Sequence, residues 1–420
     1  MDSVTQHLEE TALARFLELV RVNTTSNEKT RADDRPSTEG QMAGLRLVQS
    51  WLPDLGFQNI VVDPRGFLVA MLPARPGYEE MEPIGFGAHI DTSADVPGDV
   101  NPIIHRNYRG GVITYPAKPD LVLDPASCKA LAGVIGHDVV TSDGTTLLGA
   151  DDKSGIVVCL AAFSALRQFT SLPHGPICFF VLSDEEIGVV GASKIPTDML
   201  PKVCYTLDGG LPGEVECECW NASRLDLTFN GRPHHPGYGK EGGLTNAAEI
   251  LGRFIGMLSE AHTPAHTAGR DGFVHVHECS GNMAKATLAL LVRDFDRDGL
   301  SRREQEIAQL VTLLHTRYPH LKIEVARTDQ YANMRQALDT RPEVLARAIA
   351  AIKSAGLSPI QKEIRGGTDG SKLTERGVLT PNLGSGQANI HSAREFTTVQ
   401  WMGQCAAVVL ETASNWAEPA

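Results

Sequence analysis

Four short polar clusters in this chain each close an apolar run. His89 and Asp91 follow Ile84-Gly-Phe-Gly-Ala88, and Asp151 and Asp152 close Leu147-Leu-Gly-Ala150. Glu185 and Glu186 come just after Leu182, and Asp208 follows Leu207. Carboxylates gathered with imidazole and without thiolate suit zinc, cobalt or manganese in a hydrolytic site. Were such clusters to converge with nothing positive among them, repulsion and desolvation would cost several kcal/mol, so divalent ions are the economical partner. Two ions about 3.5 to 4 Å apart need one carboxylate bridging both, and a water between them becomes a nucleophile near neutral pH. Taken singly, each cluster has a plainer reading. His89 could be a hydrogen-bonded strand end, Asp151-Asp152 an N-cap pair for a helix beginning near Gly155, Glu185-Glu186 a solvated loop, and Asp208 a turn residue before Gly209-Gly210. Their joint placement is what those readings leave unexplained.

Hydrophobic spacing predicts the elements that carry these residues. Residues from about 5 to 22 and from about 38 to 55 show helical periodicity, the second opened by Ser37 and Thr38 with Gln41 three residues after Thr38. Phe67–Leu72, Ile84–Ala88, Ile177–Leu182 and Val203–Leu207 read as buried strands, with an apolar helix at Gly155–Leu166 between them. This alternation predicts an α/β fold whose ligands collect at the C-terminal edge of a mixed, mostly parallel sheet. After Gly210 the pattern changes to strands at 226–230, 287–294 and 322–326 with helices at 246–258 and 301–314. That predicts an inserted α+β lid domain over 220–332, a four-stranded antiparallel sheet with two helices, within a catalytic domain made of 1–219 and 333–420. Helices at 342–355 and near 399–413 complete the second part.

The bulk composition narrows the function. With 420 residues, 42% hydrophobic and 21% charged, the chain reads as a globular enzyme of two domains. Its 51 acidic against 38 basic residues leave a net charge of −13, which disfavours nucleic acid and anionic lipid. The acidic, amphipathic N-terminus lacks the pattern of a signal peptide, and no apolar run reaches the roughly 18 residues of a membrane span. A cytoplasmic location is therefore expected, with eight cysteines scattered without a CxxC pair as reduced thiols. Cys217 and Cys219 read as strand or core residues. No phosphate-cradling GxxxxGK[ST] or GxGxxG turn occurs in a suitable place, against a nucleotide-binding protein.

The segments GAHIDTSADVPG, DGTTLLGADDKSG, SDEEIG, YTLDGG, PHHPG, VRDFD, NMR and IRGGTDG occur in this order. Together they resemble the M20 metallopeptidase family, in particular its tripeptide aminopeptidase branch, from Pro36 to His391. The resemblance implies an exopeptidase that removes the N-terminal residue from short peptides, with two divalent ions, zinc foremost and cobalt or manganese as alternatives. It makes His89, Asp151, Glu186, Asp208 and His391 the ligands, with Asp151 as the bridge. His391 is not placed by the strand-end argument. Asp91 would hold the His89 imidazole, and Glu185 would be the general base. A cis peptide bond between Asp151 and Asp152 is also implied. His235 matches a family histidine that polarises the scissile carbonyl, while His234 reads as structural. Arg365 precedes Gly366-Gly367, which let backbone approach closely, so its guanidinium could grip a peptide carboxylate. Asn333 and Arg335 at the return linker are further candidates to face the cleft. A homodimer contact through the inserted domain, and closure of that domain on substrate, complete the expectations.

Positions 392 to 394 depart from the family pattern, reading Ser-Ala-Arg where glycine, lysine and histidine are typical, while Glu395 and Phe396 match. Peptide length and side-chain preference are thereby left open. A dipeptidase, a carboxypeptidase or an N-acyl amino-acid deacylase of the same family would use the same metals and base. A non-catalytic homologue would have lost a ligand or the base, and all are present.

Overall fold

The computed structural model describes residues 3–418. An eight-stranded mixed sheet runs in the order Gln58–Asp63, Phe67–Leu72, Ile177–Leu182, Ile84–His89, Val203–Gly209, Asn382–Gly384, Glu214–Cys219, Ile360–Ile364. The four strands from Ile177–Leu182 to Asn382–Gly384 are parallel, and pairing turns antiparallel on either side of them. Strand Ile84–His89 is flanked by the next two parallel strands in sequence, one on each side. The chain thus switches direction across the sheet at this strand, and the C-terminal ends of such strands open a crevice. Register carries this further: His89 pairs with Leu182 and Gly87 with Thr206, so Asp208, two residues on, is level with His89.

Chain contacts cluster into two compact units, one formed by 1–217, 334–362 and 367–420, the other by 218–333 and 363–366. In the first, helices Ser3–Leu19, Ala150–Gln168 and Val399–Trp416 pack together, the middle one against the central strands. Helix Ala150–Gln168 is buried along nearly its whole length, which is why its sequence is apolar all round. Phe57, Phe86, Phe163, Phe179 and Tyr205 join this helix to the sheet through ring contacts of 5.1 to 6.2 Å. Burying each such side chain contributes about 1.5 to 3 kcal/mol. Two glycines permit close approaches, one within the sheet and one between helix and sheet. A Cβ at Gly87 would lie 2.1 Å from the Phe180 ring, and one at Gly155 would lie 1.9 Å from the Leu207 carbonyl oxygen. Gly155 therefore lets the start of the helix touch the strand that carries Asp208.

Between His89 and Ala150 only the apolar run Leu147–Ala150 was expected to form a strand, yet it is irregular chain leading into the helix that begins at Ala150, and the span instead contributes strands to two small sheets. One has the order Gln387–Ala388, Phe396–Thr398, Val139–Thr141, Ile103–His105, and the other pairs Ile113–Tyr115 with Lys118–Leu123. Most of these strands are only two or three residues long, which carries too little pattern to be seen in sequence.

The second unit is a four-stranded antiparallel sheet, Phe273–Gly281, Lys285–Asp294, Asn221–Asn230 and Lys322–Tyr331 in that order, with helices Ala247–Met257 and Arg297–Arg317. Leu225, Leu227 and Phe229 alternate inward against Ile250, Phe254 and Ile307. Strand Phe273–Gly281 was not located from sequence, because a bulge between Val276 and Glu278 breaks its alternation. All eight cysteines are thiols outside any disulfide, and Cys217 and Cys219 lie buried on strand Glu214–Cys219. Among the described residues no helix is long and apolar enough to cross a membrane.

Candidate metal centre

His89 ends the central strand with its ring buried. Its Nε2 lies 3.0 Å from Asp151 Oδ1 and 3.7 Å from Asp208 Oδ1. On the other side of Asp151, His391 Nε2 lies 3.5 Å from Asp151 Oδ2 and 3.0 Å from Glu186 Oε2. Two sets of converging donor atoms result, His89, Asp151 and Asp208, and Asp151, Glu186 and His391, each with its atoms within 4.8 Å of one another. Asp151 belongs to both, one oxygen turned to each. The donors are three carboxylates and two imidazoles, and Glu186 Oε1 is buried with no hydrogen-bond partner. Such a set fits two divalent ions of the zinc class.

The electrostatics fit the same conclusion. Burial pushes Glu185 well above its ordinary value, raises Asp208, and brings Glu186 to about 7. Burial alone would lower His89, but Asp151, Asp208 and Asp91 hold it well above its usual value. Hydrogen bonds to Asp151 and Glu186 raise His391 to about 11. Without ions, imidazolium is the positive charge that this acidic pocket recruits.

Each donor is held from behind. The His89 Nδ1 lies 3.0 Å from the main-chain carbonyl of Asp91 and 3.5 Å from its carboxylate. That carboxylate accepts the amides of Glu185 at 3.0 Å and Glu186 at 3.2 Å, so Asp91 places the base and a ligand besides orienting the imidazole. Asp184, at φ +59°, fixes the same loop. It accepts from the Ser37 amide and hydroxyl at 2.9 and 2.5 Å and from Gln41 Nε2 at 2.7 Å. The segment Pro36–Gln41 therefore serves as an anchor for Glu185 and Glu186. Asp208 donates its amide to Asn382 Oδ1 at 3.0 Å, and Gln387 Nε2 donates to its carbonyl at 3.3 Å. The His391 Nδ1 meets Asp95 Oδ2 at 2.9 Å.

The capping reading of the aspartate pair is also realised, by the second member. Asp152 Oδ1 accepts from the Gly155 amide at 3.2 Å and its Oδ2 from the His89 amide at 3.3 Å, leaving Asp151 to face the cluster. The peptide bond between the two is cis. Sequence reasoning missed Asp369, a buried carboxyl without a well-formed hydrogen bond to either oxygen, which burial pushes up to about 8. It missed Asp184, Asn382 and Gln387 as well. Their roles come from contacts across 143 to 179 residues of sequence, which no local pattern encodes.

The remaining candidates lie on the second unit, except Arg335. His235 opens the turn Pro236–Tyr238, its Nδ1 accepting from the Gly237 amide at 3.2 Å, and its ring is exposed. The neighbouring His234 ring lies 3.3 Å from the His235 carbonyl. Asn333 Nδ2 donates to Glu218 at 3.2 Å and to the Phe295 carbonyl at 3.0 Å. Arg365 was expected with the flanking segments, but it stacks 4.7 Å over the Trp220 ring and donates to the Gly269 carbonyl at 2.5 Å, so residues 363–366 group with the second unit. Arg335 pairs with Asp339 at 2.8 Å within the first unit.

Known proteins resemble this chain over the same parts. Residues 141–415 match the model for peptidase family M20/M25/M40. Peptidase T of Pectobacterium carotovorum subsp. carotovorum (strain PC1) is 39% identical over 404 residues, covering 96% of this chain and 97% of the relative. The chain belongs to peptidase family M20/M25/M40. Peptidase T of Vibrio parahaemolyticus serotype O3:K6 is 37% identical over 401 residues, covering 95% of this chain and 97% of that one. Among solved structures, the aminopeptidase PepT from Bacillus cereus ATCC 10987 superimposes with a TM-score of 0.76 at 20% identity, covering 98% of this chain and 99% of that one. A tripeptidase from Staphylococcus aureus subsp. aureus Mu50 gives 0.75 at 20% identity, covering 97% and 98%. This family's fold is thus present over nearly the whole chain.

Proposed function

We propose that this chain is a cytoplasmic metallo-aminopeptidase that releases the N-terminal residue from short peptides, tripeptides foremost, with two zinc-class ions per subunit. The observation that carries the reading is the Asp151 carboxylate, set with one oxygen toward each of two imidazole-and-acid groups. In the proposal His89 and Asp208 complete one ion site, Glu186 and His391 complete the other, and Asp151 serves both. Bound ions supply Lewis-acid polarisation of the scissile carbonyl and lower the pKa of a water.

The chain's own groups do the rest. Glu185 takes the proton of the attacking water and passes it to the leaving amine. A buried carboxylate among Asp208, Asp369 and Glu186 has the raised pKa that a base working near neutral pH needs. Asp91 keeps the Glu185 amide and the His89 ring in place. On the second unit His235 would polarise the carbonyl. Arg365, oriented by Trp220 and the Gly269 carbonyl, would take the peptide carboxylate, and Asn333 would line the substrate. That unit is proposed to act as a lid closing on bound peptide, and to carry a homodimer contact.

The deciding experiment incubates the purified protein with Zn, Co or Mn and a panel of di-, tri- and tetrapeptides, including N-blocked and C-amidated forms. Release of the N-terminal residue from free tripeptides is the expected result. Cleavage of N-acylated substrates, or release from the C-terminus, would replace this reading by another activity of the family.

A further inference from the structure

Glu395 is a carboxylate that the proposed reaction does not use, and it is buried at 1% exposure. Its Oε2 accepts the amides of Leu148 and Gly149, each at 2.7 Å, and its Oε1 accepts the amide of Asp151 at 2.9 Å. Those three amides converge because Gly149 adopts φ +79° and bends the chain into a concave anion-binding turn. Bonds from backbone amides to a buried carboxylate are about twice as strong as neutral ones. The loop entering Asp151 is therefore fixed from a point more than 240 residues away in sequence.

The path to Glu395 is equally constrained. His391, at φ +58°, begins a tight turn in which Ser392 Oγ donates to the Asn389 carbonyl at 2.7 Å and the Glu395 amide donates to the Ser392 carbonyl at 3.0 Å. Directly after Glu395, Phe396 to Thr398 pair with Thr141 to Val139 in antiparallel register. One short span thus holds a candidate ligand of one ion site at His391 and, four residues later, the anchor of Asp151, which serves both sites. The unusual residues 392 to 394 lie in this turn and leave the anchor intact.

We propose that Glu395 is a positioning residue that holds the Asp151 carboxylate between the two ion sites, so that loss of this anchor weakens both sites at once. The proposal rests on the dinuclear reading above. A purely structural clamp would make a different prediction, because it would affect how stably the chain folds and not how the folded chain binds ions.

The test uses the full-length protein, stripped with chelator and titrated with Co²⁺, with bound metal counted by equilibrium dialysis and ligand geometry followed by visible absorption. Glu395→Gln is the main variant. Both oxygens already accept, so the new NH₂ must face at least one amide N–H, and the anchor is broken without loss of volume. The expected result is a folded variant, by circular dichroism, in which both Co²⁺ ions bind about 10- to 100-fold more weakly and the absorption bands change. His391→Ala should weaken one ion and spare the other. If Glu395→Gln does not fold, Glu395→Asp decides the matter, since it keeps the charge and withdraws it by one methylene. Two weakened ions support the proposal. Unchanged Co²⁺ affinity in the folded variants, even with a lowered urea midpoint for the metal-free protein, overturns it, and so does weakening of a single ion. Wild-type protein that binds fewer than two ions would instead overturn the dinuclear reading.

Discussion

Replacing Glu185 by glutamine separates the base from the ligands. The Glu185 amide, not its side chain, is what Asp91 holds, and the substitution leaves that 3.0 Å bond in place. Neither of the two converging donor sets includes the Glu185 carboxylate. Its removal takes one negative charge from beside Asp208, Asp369 and Glu186, which eases repulsion and costs the ions little. What it deletes is the proton shuttle. Loss of a general base lowers turnover by about 10²- to 10⁴-fold, which corresponds to about 3 to 5.5 kcal/mol of barrier at 1.36 kcal/mol per tenfold. The assay is steady-state hydrolysis of a free tripeptide with metal content measured on the same samples, and Asp151→Ala as the comparison. We expect two ions per chain, a similar KM and a collapsed kcat in Glu185→Gln, against metal loss in Asp151→Ala. The wild-type kcat should also fall on the acid side, because a carboxylate with a raised pKa takes up its proton at higher pH than usual. Metal loss from Glu185→Gln as ready as from Asp151→Ala, or a kcat within about tenfold of wild type, would refute the assignment.

Three further outcomes follow from particular contacts. Gly155→Ala would set a Cβ 1.9 Å from the Leu207 carbonyl, so the helix must move off the Asp208 strand. A stability loss of about 1 to 3 kcal/mol or more is expected in urea unfolding, with weaker metal binding. Burial raises Glu216 to about 7, so the stability from its neutral form is present below its unfolded value and lost as pH rises through 7. In chelator, Glu216→Gln should therefore gain stability over wild type between pH 5 and 8, by at most about 3 kcal/mol, and an unchanged difference across that range would count against the shift. His235→Ala should leave metal content intact and lower kcat, and a variant with full kcat would remove His235 from the substrate contacts.

Much of this protein could be read from residue order alone. Phe67–Leu72 and Ile177–Leu182 have the bounds their apolar runs predict, because strands buried on both faces show as continuous hydrophobic stretches. His89, Glu186 and Asp208 were visible as candidates because parallel strands deliver all their C-terminal ends to one edge, whereas Asp151, expected at the end of an apolar run, sits at the start of a helix. That argument needs only the type and order of elements, which local periodicity supplies. His391 carries no such signal. It sits in a loop at positive φ, and only family resemblance had singled it out before folding placed its ring 3.0 Å from Glu186. Tertiary structure also decided what the individual carboxylates do. Asp151 and Asp152 are adjacent and chemically identical, yet one joins two donor sets and the other caps a helix, with different non-helical backbone angles at the two residues. Glu395 and Asp184 look like ordinary polar residues in the sequence, and each becomes an anchor only through amides or side chains far away along the chain. The physical reason is range. Periodicity reports which face of an element is buried, whereas the partner of a buried charge is set by the crossing of segments, and here those segments lie as much as 247 residues apart.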